Sequence, residues 1–244
     1  MVEKEPNSPH RSTREEIEAY LTRRGVDEWK YFSASILTHW RIMFEDFAPR
    51  YLNGMVLDAG CGHSPYRELV KKYSSELISL DYKIPHPDQQ VCADVCKLPF
   101  TKGSMDSLLS TQVLEHVVNP FEAIQEAGRV LRSGGVLLLS VPHLSRLHEL
   151  PHDYFRFTEN GLRHLAQVGN FEVIEVVPTG GLLTFLSHQI SLAFVISLWP
   201  LKILRPAILK INKYLFTKLA VMLDRLLRTE LLFPQGYVMV ARKI

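Results

Sequence analysis

The chain has 244 residues, 46% of them hydrophobic, and a formal net charge of +2. That is enough apolar material for one sizeable core, too much for a disordered chain, and too little excess charge for a strongly basic nucleic-acid binder. The charge is uneven: residues 182–244 hold nine Lys or Arg against two Asp or Glu, so +7, which leaves −5 for the rest.

The N-terminus, MVEKEPNSPHRSTREE, is polar and charged and does not read as a signal peptide. Ser12 and Glu15 fit a capping box that opens a helix near Thr13. Residues 13–49 read as two or three helices with apolar faces built from Trp29, Tyr31, Phe32, Ile36, Trp40, Met43 and Phe44. Whether they form a cap on a domain or a lid over a pocket stays open. From residue 54 the texture changes. Short apolar runs at Met55–Leu57, Leu77–Leu80, Gln90–Ala93, Ser107–Gln112, Val136–Val141, Phe171–Val177 and Tyr237–Ala241 predict strands. Pro65–Tyr73, Pro120–Leu131 and Asn160–Val168 predict helices, the second with Gly134-Gly135 just past its end. This alternation predicts an α/β domain with a mostly parallel sheet. Three cysteines, Cys61, Cys92 and Cys96, argue against a disulfide framework and for a reducing compartment. Cys92 and Cys96 have no second Cys pair nearby and read as small core residues rather than half a metal site.

Val56-Leu-Asp-Ala-Gly-Cys-Gly62 places Asp58, Gly60 and Gly62 in a strand-to-helix turn. Glycines there allow positive φ and close approach of a ligand to the backbone. The third glycine of a dinucleotide fingerprint does not exist, since His63-Ser-Pro65 follows. The carboxylate of Asp58 would repel phosphate but suits a ligand with an ammonium or sulfonium charge. Asp81, 21 residues after Gly60, ends the second strand, where a carboxylate can accept both ribose hydroxyls.

VLDAGCG, SLDY, CADVCKLPF and MDSLLSTQVLEHVVNPFEAIQEAGRVLRSGGVLLLSVP, in that order, resemble class I S-adenosylmethionine-dependent methyltransferases, in particular the type-11 group that includes quinone-biosynthesis enzymes. The resemblance covers about residues 54–178 plus the closing strand. It implies a Rossmann-like seven-stranded sheet with the last strand antiparallel, helices on both faces, and S-adenosyl-L-methionine as cofactor. It implies that Gly60 and Gly62 pack against the methionine part of the cofactor and that Asp58 lies near its ammonium, with Cys61 in the same turn. It implies that Asp81, with Tyr82 beside it, meets the ribose, that Asp94 and Val95 meet the adenine, and that Gln112 lines the methionine end. Four units are expected: a helical cap at 1–49, the cofactor-binding core at 50–181, a helical insertion at 182–232, and the last strand at 233–244.

A sulfonium methyl is already activated, so displacement needs chiefly proximity and alignment. A general base helps when the acceptor is a hydroxyl or phenol, and His116, His143, His148, His152 and Tyr154 are the candidates. Glu115-His116 also has a purely structural reading. Pro151–Thr158 reads either as a helix start capped by Thr158 or as an acceptor site in which Arg156 meets an anion. The spacing of His143, His148 and His152 invites a metal, but Pro142 and Pro151 break the segment, and no metal is expected.

Residues 176–201 lack Asp, Glu, Lys and Arg, and 13 of residues 182–201 are apolar, interrupted by His188, Gln189 and Pro200. Leu204, Ile208, Ile211, Leu215, Leu219, Met222 and Leu226 then form one helical stripe, with Lys202, Arg205, Lys210, Lys213, Lys218, Arg225 and Arg228 on other faces. A bilayer span is disfavoured, because it would separate the last strand from its own sheet. Two readings stay open: packing against the domain or a second subunit, or peripheral contact with an anionic membrane. The expected activity is methyl transfer to oxygen or carbon of a small-molecule or lipid-linked acceptor, in the cytoplasm or at the inner membrane face. The rival is a non-catalytic binding protein of the same fold at a membrane surface. Nucleic acid is not expected as a partner, since no Asn-Pro-Pro-Tyr-like motif for flipped bases is present.

Overall fold

The computed structural model describes residues 13–25, 29–64, 66–82 and 89–244. Ser12 and Pro65 lie outside them. Seven strands form one sheet: β1 (Met55–Ala59), β2 (Glu76–Asp81), β3 (Val91–Cys92), β4 (Met105–Thr111), β5 (Leu131–Pro142), β6 (Phe171–Thr179) and β7 (Gly236–Lys243). Their order is β3-β2-β1-β4-β5-β7-β6. β7 runs antiparallel to both neighbours, and the other pairings are parallel. The chain leaves β1 toward β2 and β3, then returns to β4 on the other side. The reversal opens a crevice at the carboxyl ends of β1 and β4, where open α/β sheets bind ligands.

Helices cover both faces. α1 (Thr13–Arg24) precedes α2 (Ala34–Trp40), which runs through a π-helical stretch (Arg41–Phe47) into α3 (Ala48–Tyr51). Trp40, Met43, Phe44 and Phe47 share a buried cluster with Val56, Leu109, Leu138 and Val240 of the sheet. On the opposite face, α5 (Pro120–Val130) and α6 (Glu159–Val168) bury Ile124, Ala127, Leu162 and Leu165 against Leu57, Leu108, Leu137 and Met239. The Thr158 cap is the one that the sequence suggests, and Asn119 adds a second. Asn119 and Thr158 accept backbone N–H bonds from Glu122 and Gly161 at the starts of α5 and α6.

Two local expectations change. The helix expected over Pro65–Tyr73 contracts to a single turn, α4 (Arg67–Val70), followed by turns. Gly134-Gly135 does not end a helix. α5 stops at Val130, Leu131 is already extended, and both glycines lie inside β5. Gly134 has φ +77°, and a Cβ on Gly135 would meet the carbonyl oxygens of Arg132 and Asp106 at 2.9 and 3.0 Å. The pair lets β5 bulge against β4, whose register shifts between Met105 and Ser107.

The insertion is helical: α7 (Leu182–Leu198), α8 (Arg205–Ile211), a π-helical stretch (Asn212–Lys218) and α9 (Leu219–Leu227). It packs on the N-terminal helices. Ile17 and Leu21 cluster with Val195, Trp199 and Ile208, and Ala34 and Leu37 with Ala220 and Val221. The inward face of α8–α9 is unexpectedly polar. Asn212 donates to the Phe32 carbonyl and accepts from Ser191, and Thr217 donates to the Tyr31 carbonyl. Buried Asp224 accepts backbone N–H bonds from Gly181, Leu183 and Thr184, so it caps α7 from across the fold. These bonds turn the leucine stripe outward. Of its seven residues only Ile208 is buried, whereas Leu215, Met222 and Leu226 are 54%, 57% and 75% exposed. Among the described residues, no helix is long and apolar enough to cross a membrane.

Candidate active site

β1 ends in the glycine turn because Gly60 and Gly62 adopt φ +84° and +52°, where a side chain is strained. Gly60 and Cys61 donate to the Leu80 carbonyl, tying the turn to β2. Gly62 donates its N–H to the carboxylate of Asp81 at 2.8 Å. Asp81 therefore braces the turn from the end of β2. Asp58 sits 5% exposed beneath it. Burial, and then the neighbouring charge of Asp81, push its carboxyl up to about 7, against a smaller opposing pull from Arg67. Such a group is stabilised by an incoming cation. Cys61 is buried, and its thiol is pushed up to about 11, chiefly by burial. It is a neutral packing group rather than a thiolate.

Tyr82, 71% exposed, follows Asp81. The next loop brings Asp94, which accepts the Cys96 N–H at 2.8 Å, with Val95 partly buried beside it. Gln112, at φ +55°, follows β4 and donates through its side chain to Ser140 Oγ. Ser140 also meets His39 Nε2 at 2.9 Å. Burial lowers His39 to about 4, so its imidazole is neutral around pH 7. Sequence reasoning did not single out His39 and Ser140. The signal available was a histidine one position before buried Trp40 on a mostly apolar helix.

Glu115 and His116 occupy a one-turn 3-10 helix after β4 (Leu114–His116). The segment 143–158 docks on it. Tyr154 and Phe155 donate backbone N–H bonds to the Glu115 carbonyl, and His116 Nδ1 lies 2.6 Å from the His152 carbonyl oxygen. His152 Nδ1 lies 3.1 Å from the Tyr154 hydroxyl. His116, His152 and Tyr154 thus come together, joined by His148, whose ring packs edge-on to His116. His143 stands apart from these contacts. Its backbone pairs with Gln235 and its ring faces Tyr237. Arg156 is held by Asp153, at 2.5 and 2.8 Å, and by the carbonyls of Arg146 and Phe155. With Thr158 capping α6, this favours the structural reading of that run over an anion site. The Arg156 guanidinium keeps the wholly buried Asp153 carboxyl far below the usual carboxylate range.

A sheet of this order with an antiparallel last strand, carrying an acidic residue before a glycine turn and a second acid at the end of β2, defines the Rossmann-like methyltransferase fold. A family profile described as a methyltransferase domain matches residues 57–139. A probable S-adenosylmethionine-dependent methyltransferase of Mycobacterium tuberculosis is 30% identical over 112 residues, 42% of this chain and 41% of the relative. A similarly described protein of Mycolicibacterium smegmatis is 29% identical over 150 residues, 57% of this chain and 56% of the relative. The matched segments thus span about half the length of these relatives or less. An S-adenosylmethionine-dependent methyltransferase structure from Mesorhizobium loti superimposes with a TM-score of 0.55 at 14% identity, covering 84% of this chain and 97% of that one. At that identity the likeness is one of fold.

Proposed function

We propose that the protein binds S-adenosylmethionine across the β1–β4 crevice and transfers its methyl group to a small-molecule or lipid-linked acceptor. The observation that carries this reading is the buried Asp58 carboxyl beneath a positive-φ glycine turn braced by Asp81. That arrangement favours a ligand with cationic groups next to a ribose. Gly60 and Gly62 offer backbone to the methionine part, Asp81 accepts from the ribose, and Asp94 and Val95 border the adenine. The reaction is an in-line displacement, so alignment supplies most of the rate. His152 and Tyr154, in contact with each other, are the groups placed to take a proton from an acceptor hydroxyl, and His116 is a third wherever its Nε2 is not engaged by a metal ion. The test is calorimetry with S-adenosylhomocysteine on the full chain and on Asp81→Ala. Binding at micromolar affinity, lost at least tenfold in the variant, is expected. Absence of binding, or an unchanged affinity in Asp81→Ala, refutes the reading.

The outward leucine stripe favours a second element, contact with an anionic membrane surface that supplies a lipid-linked acceptor. Leu204, Leu215, Met222 and Leu226 are half or more exposed, and Lys202, Lys210, Arg225 and Arg228 are exposed on or at the ends of the same helical run. Apolar side chains flanked by cations suit the interface of an anionic bilayer. Deleting the insertion would expose the cores it shares with α1 and α2, so point variants are the sound probe. Flotation with vesicles containing phosphatidylglycerol should carry the protein, vesicles of phosphatidylcholine should not, and Leu215→Glu with Met222→Glu should abolish binding. Equal behaviour on both vesicles, or no effect of the substitutions, refutes it.

A further inference from the structure

We propose that Glu115, His116 and His148 form a binding site for one divalent transition-metal ion of the zinc class. One potential ligand atom from each lies within 4.8 Å of the others. His116 Nε2 and His148 Nε2 stand 3.8 and 4.0 Å from Glu115 Oε1. These separations exceed a hydrogen bond. Zinc bonds to imidazole nitrogen and carboxylate oxygen are about 2.0–2.2 Å long, so ligand atoms around one ion lie roughly 3–4 Å apart, and the widest pair here would draw in by under about 1–2 Å on binding.

Two further observations point the same way. The Glu115 side chain is wholly buried, and neither of its carboxylate oxygens has a hydrogen-bond partner. A buried carboxylate in that state is costly unless a cation or proton meets it. The histidines are also oriented by their other nitrogens. His116 Nδ1 lies 2.6 Å from the His152 carbonyl, and His148 Nδ1 lies 3.2 Å from the Arg146 carbonyl. A carbonyl only accepts, so each Nδ1 carries the proton and each Nε2 turns a lone pair toward Glu115. Two lone pairs and a carboxylate facing one gap repel one another, and a metal ion relieves this. Backbone carbonyls on the far ring nitrogens are the usual outer partners of metal-bound histidine. Asp153 adds to this frame. It accepts the His148 backbone N–H at 2.9 Å and is itself anchored by Arg156.

The donor set of one carboxylate and two imidazoles suits zinc, iron(II), manganese(II) or cobalt(II) rather than calcium or magnesium. The sequence spacing of His143, His148 and His152 pointed elsewhere. Only His148 takes part, and its partners lie about thirty residues upstream. Three protein ligands leave a coordination position for water or a ligand oxygen. On the proposed function, an acceptor oxygen would occupy it; this last step alone rests on that reading.

The test is titration of the chelator-treated full chain with Zn2+ by calorimetry and with Co2+ by visible absorption. One equivalent is expected to bind at micromolar affinity or tighter, with a cobalt d–d spectrum of mixed nitrogen and oxygen ligation. Glu115→Gln and His148→Ala should each weaken binding at least tenfold, while Cys92→Ser, which removes an exposed thiol, should not. His148 is a fifth exposed, so its variant serves if Glu115→Gln does not fold. Absence of stoichiometric binding, or binding indifferent to both substitutions, overturns the site. S-adenosylhomocysteine calorimetry on the same samples separates the two ideas. Cofactor binding without metal binding removes the metal site alone, and metal binding without cofactor binding removes the methyltransfer reading alone.

Discussion

Gly60 and Gly62 flank Cys61 in one turn, yet alanine should act differently at the two positions. A Cβ at Gly60 would lie 2.3 and 2.8 Å from the two methyl carbons of Val113 and 3.1 Å from its Cβ. Valine is stiff at χ1, so those methyls cannot swing clear without moving their backbone. Residue 60 also holds φ +84°, which costs an L-residue about 1–2 kcal/mol. Overpacking of this kind adds about 1–3 kcal/mol, so Gly60→Ala should lose roughly 2–5 kcal/mol in all. A Cβ at Gly62 meets nothing within 4 Å, and only the strain of φ +52° remains, about 1–2 kcal/mol. Urea unfolding followed by far-UV circular dichroism reads the difference. At a slope of about 3 kcal/mol per molar urea, the Gly60→Ala midpoint should fall by roughly 1 M and the Gly62→Ala midpoint by half that or less. Calorimetry should show the reverse emphasis at Gly62, with most stability kept and affinity for S-adenosylhomocysteine reduced, because the new methyl occupies space open to the ligand. Equal midpoints for the two variants would refute the packing argument.

The remaining predictions concern charge. Asp58 has a carboxyl raised to about 7, and a ligand ammonium favours its ionised form. Affinity for S-adenosylhomocysteine should therefore be highest above pH 7 and fall by up to about tenfold per unit below it; calorimetry from pH 5.5 to 8.5 checks this, and Asp58→Asn should flatten the profile. Arg156→Ala should destabilise the fold by roughly 2–4 kcal/mol, because it strips the cation from wholly buried Asp153, although Arg156 is itself partly exposed. The Asp153 carboxyl lies below its unfolded value of about 4, so the pair stabilises the fold above that pH and the contribution fades as pH falls through the folded value. Urea midpoints of wild type and Arg156→Ala should accordingly converge in acid and diverge at neutral pH.

Much of the fold is legible because its signals are local. The apolar run at Val136–Val141, interrupted only by Ser140, reads as a strand covered on both faces, and it pairs with β4 on one side and β7 on the other. Pro120 and Thr158 mark helix starts by chemistry contained within four residues. Asp58, Gly60, Gly62 and Asp81 meet because adjacent parallel strands place their carboxyl ends side by side. Gly134-Gly135 was misread for the same local reason. A double glycine after a helical run is a good stop signal, and only the pairing of Leu131 with Met105 shows that the chain is already in the sheet.

By itself, then, the sequence determined the alternating architecture, the glycine turn with its acidic partners, and the amphipathic character of residues 202–228, since each depends on neighbours a few positions apart. Which face of that helix is buried was decided only by tertiary structure. Periodicity left open whether the leucines pack against the domain or face outward. Asn212, Thr217 and Asp224 find backbone partners in Phe32, Tyr31 and the start of α7, between 40 and 186 residues away in the chain. A buried polar group must be paired, and the pairing cannot be read from the helix alone. The meeting of Glu115 and His116 with His148 has the same origin. A loop returns over the end of β4 and turns two lone pairs toward one buried carboxylate, an arrangement that no spacing in the sequence announces.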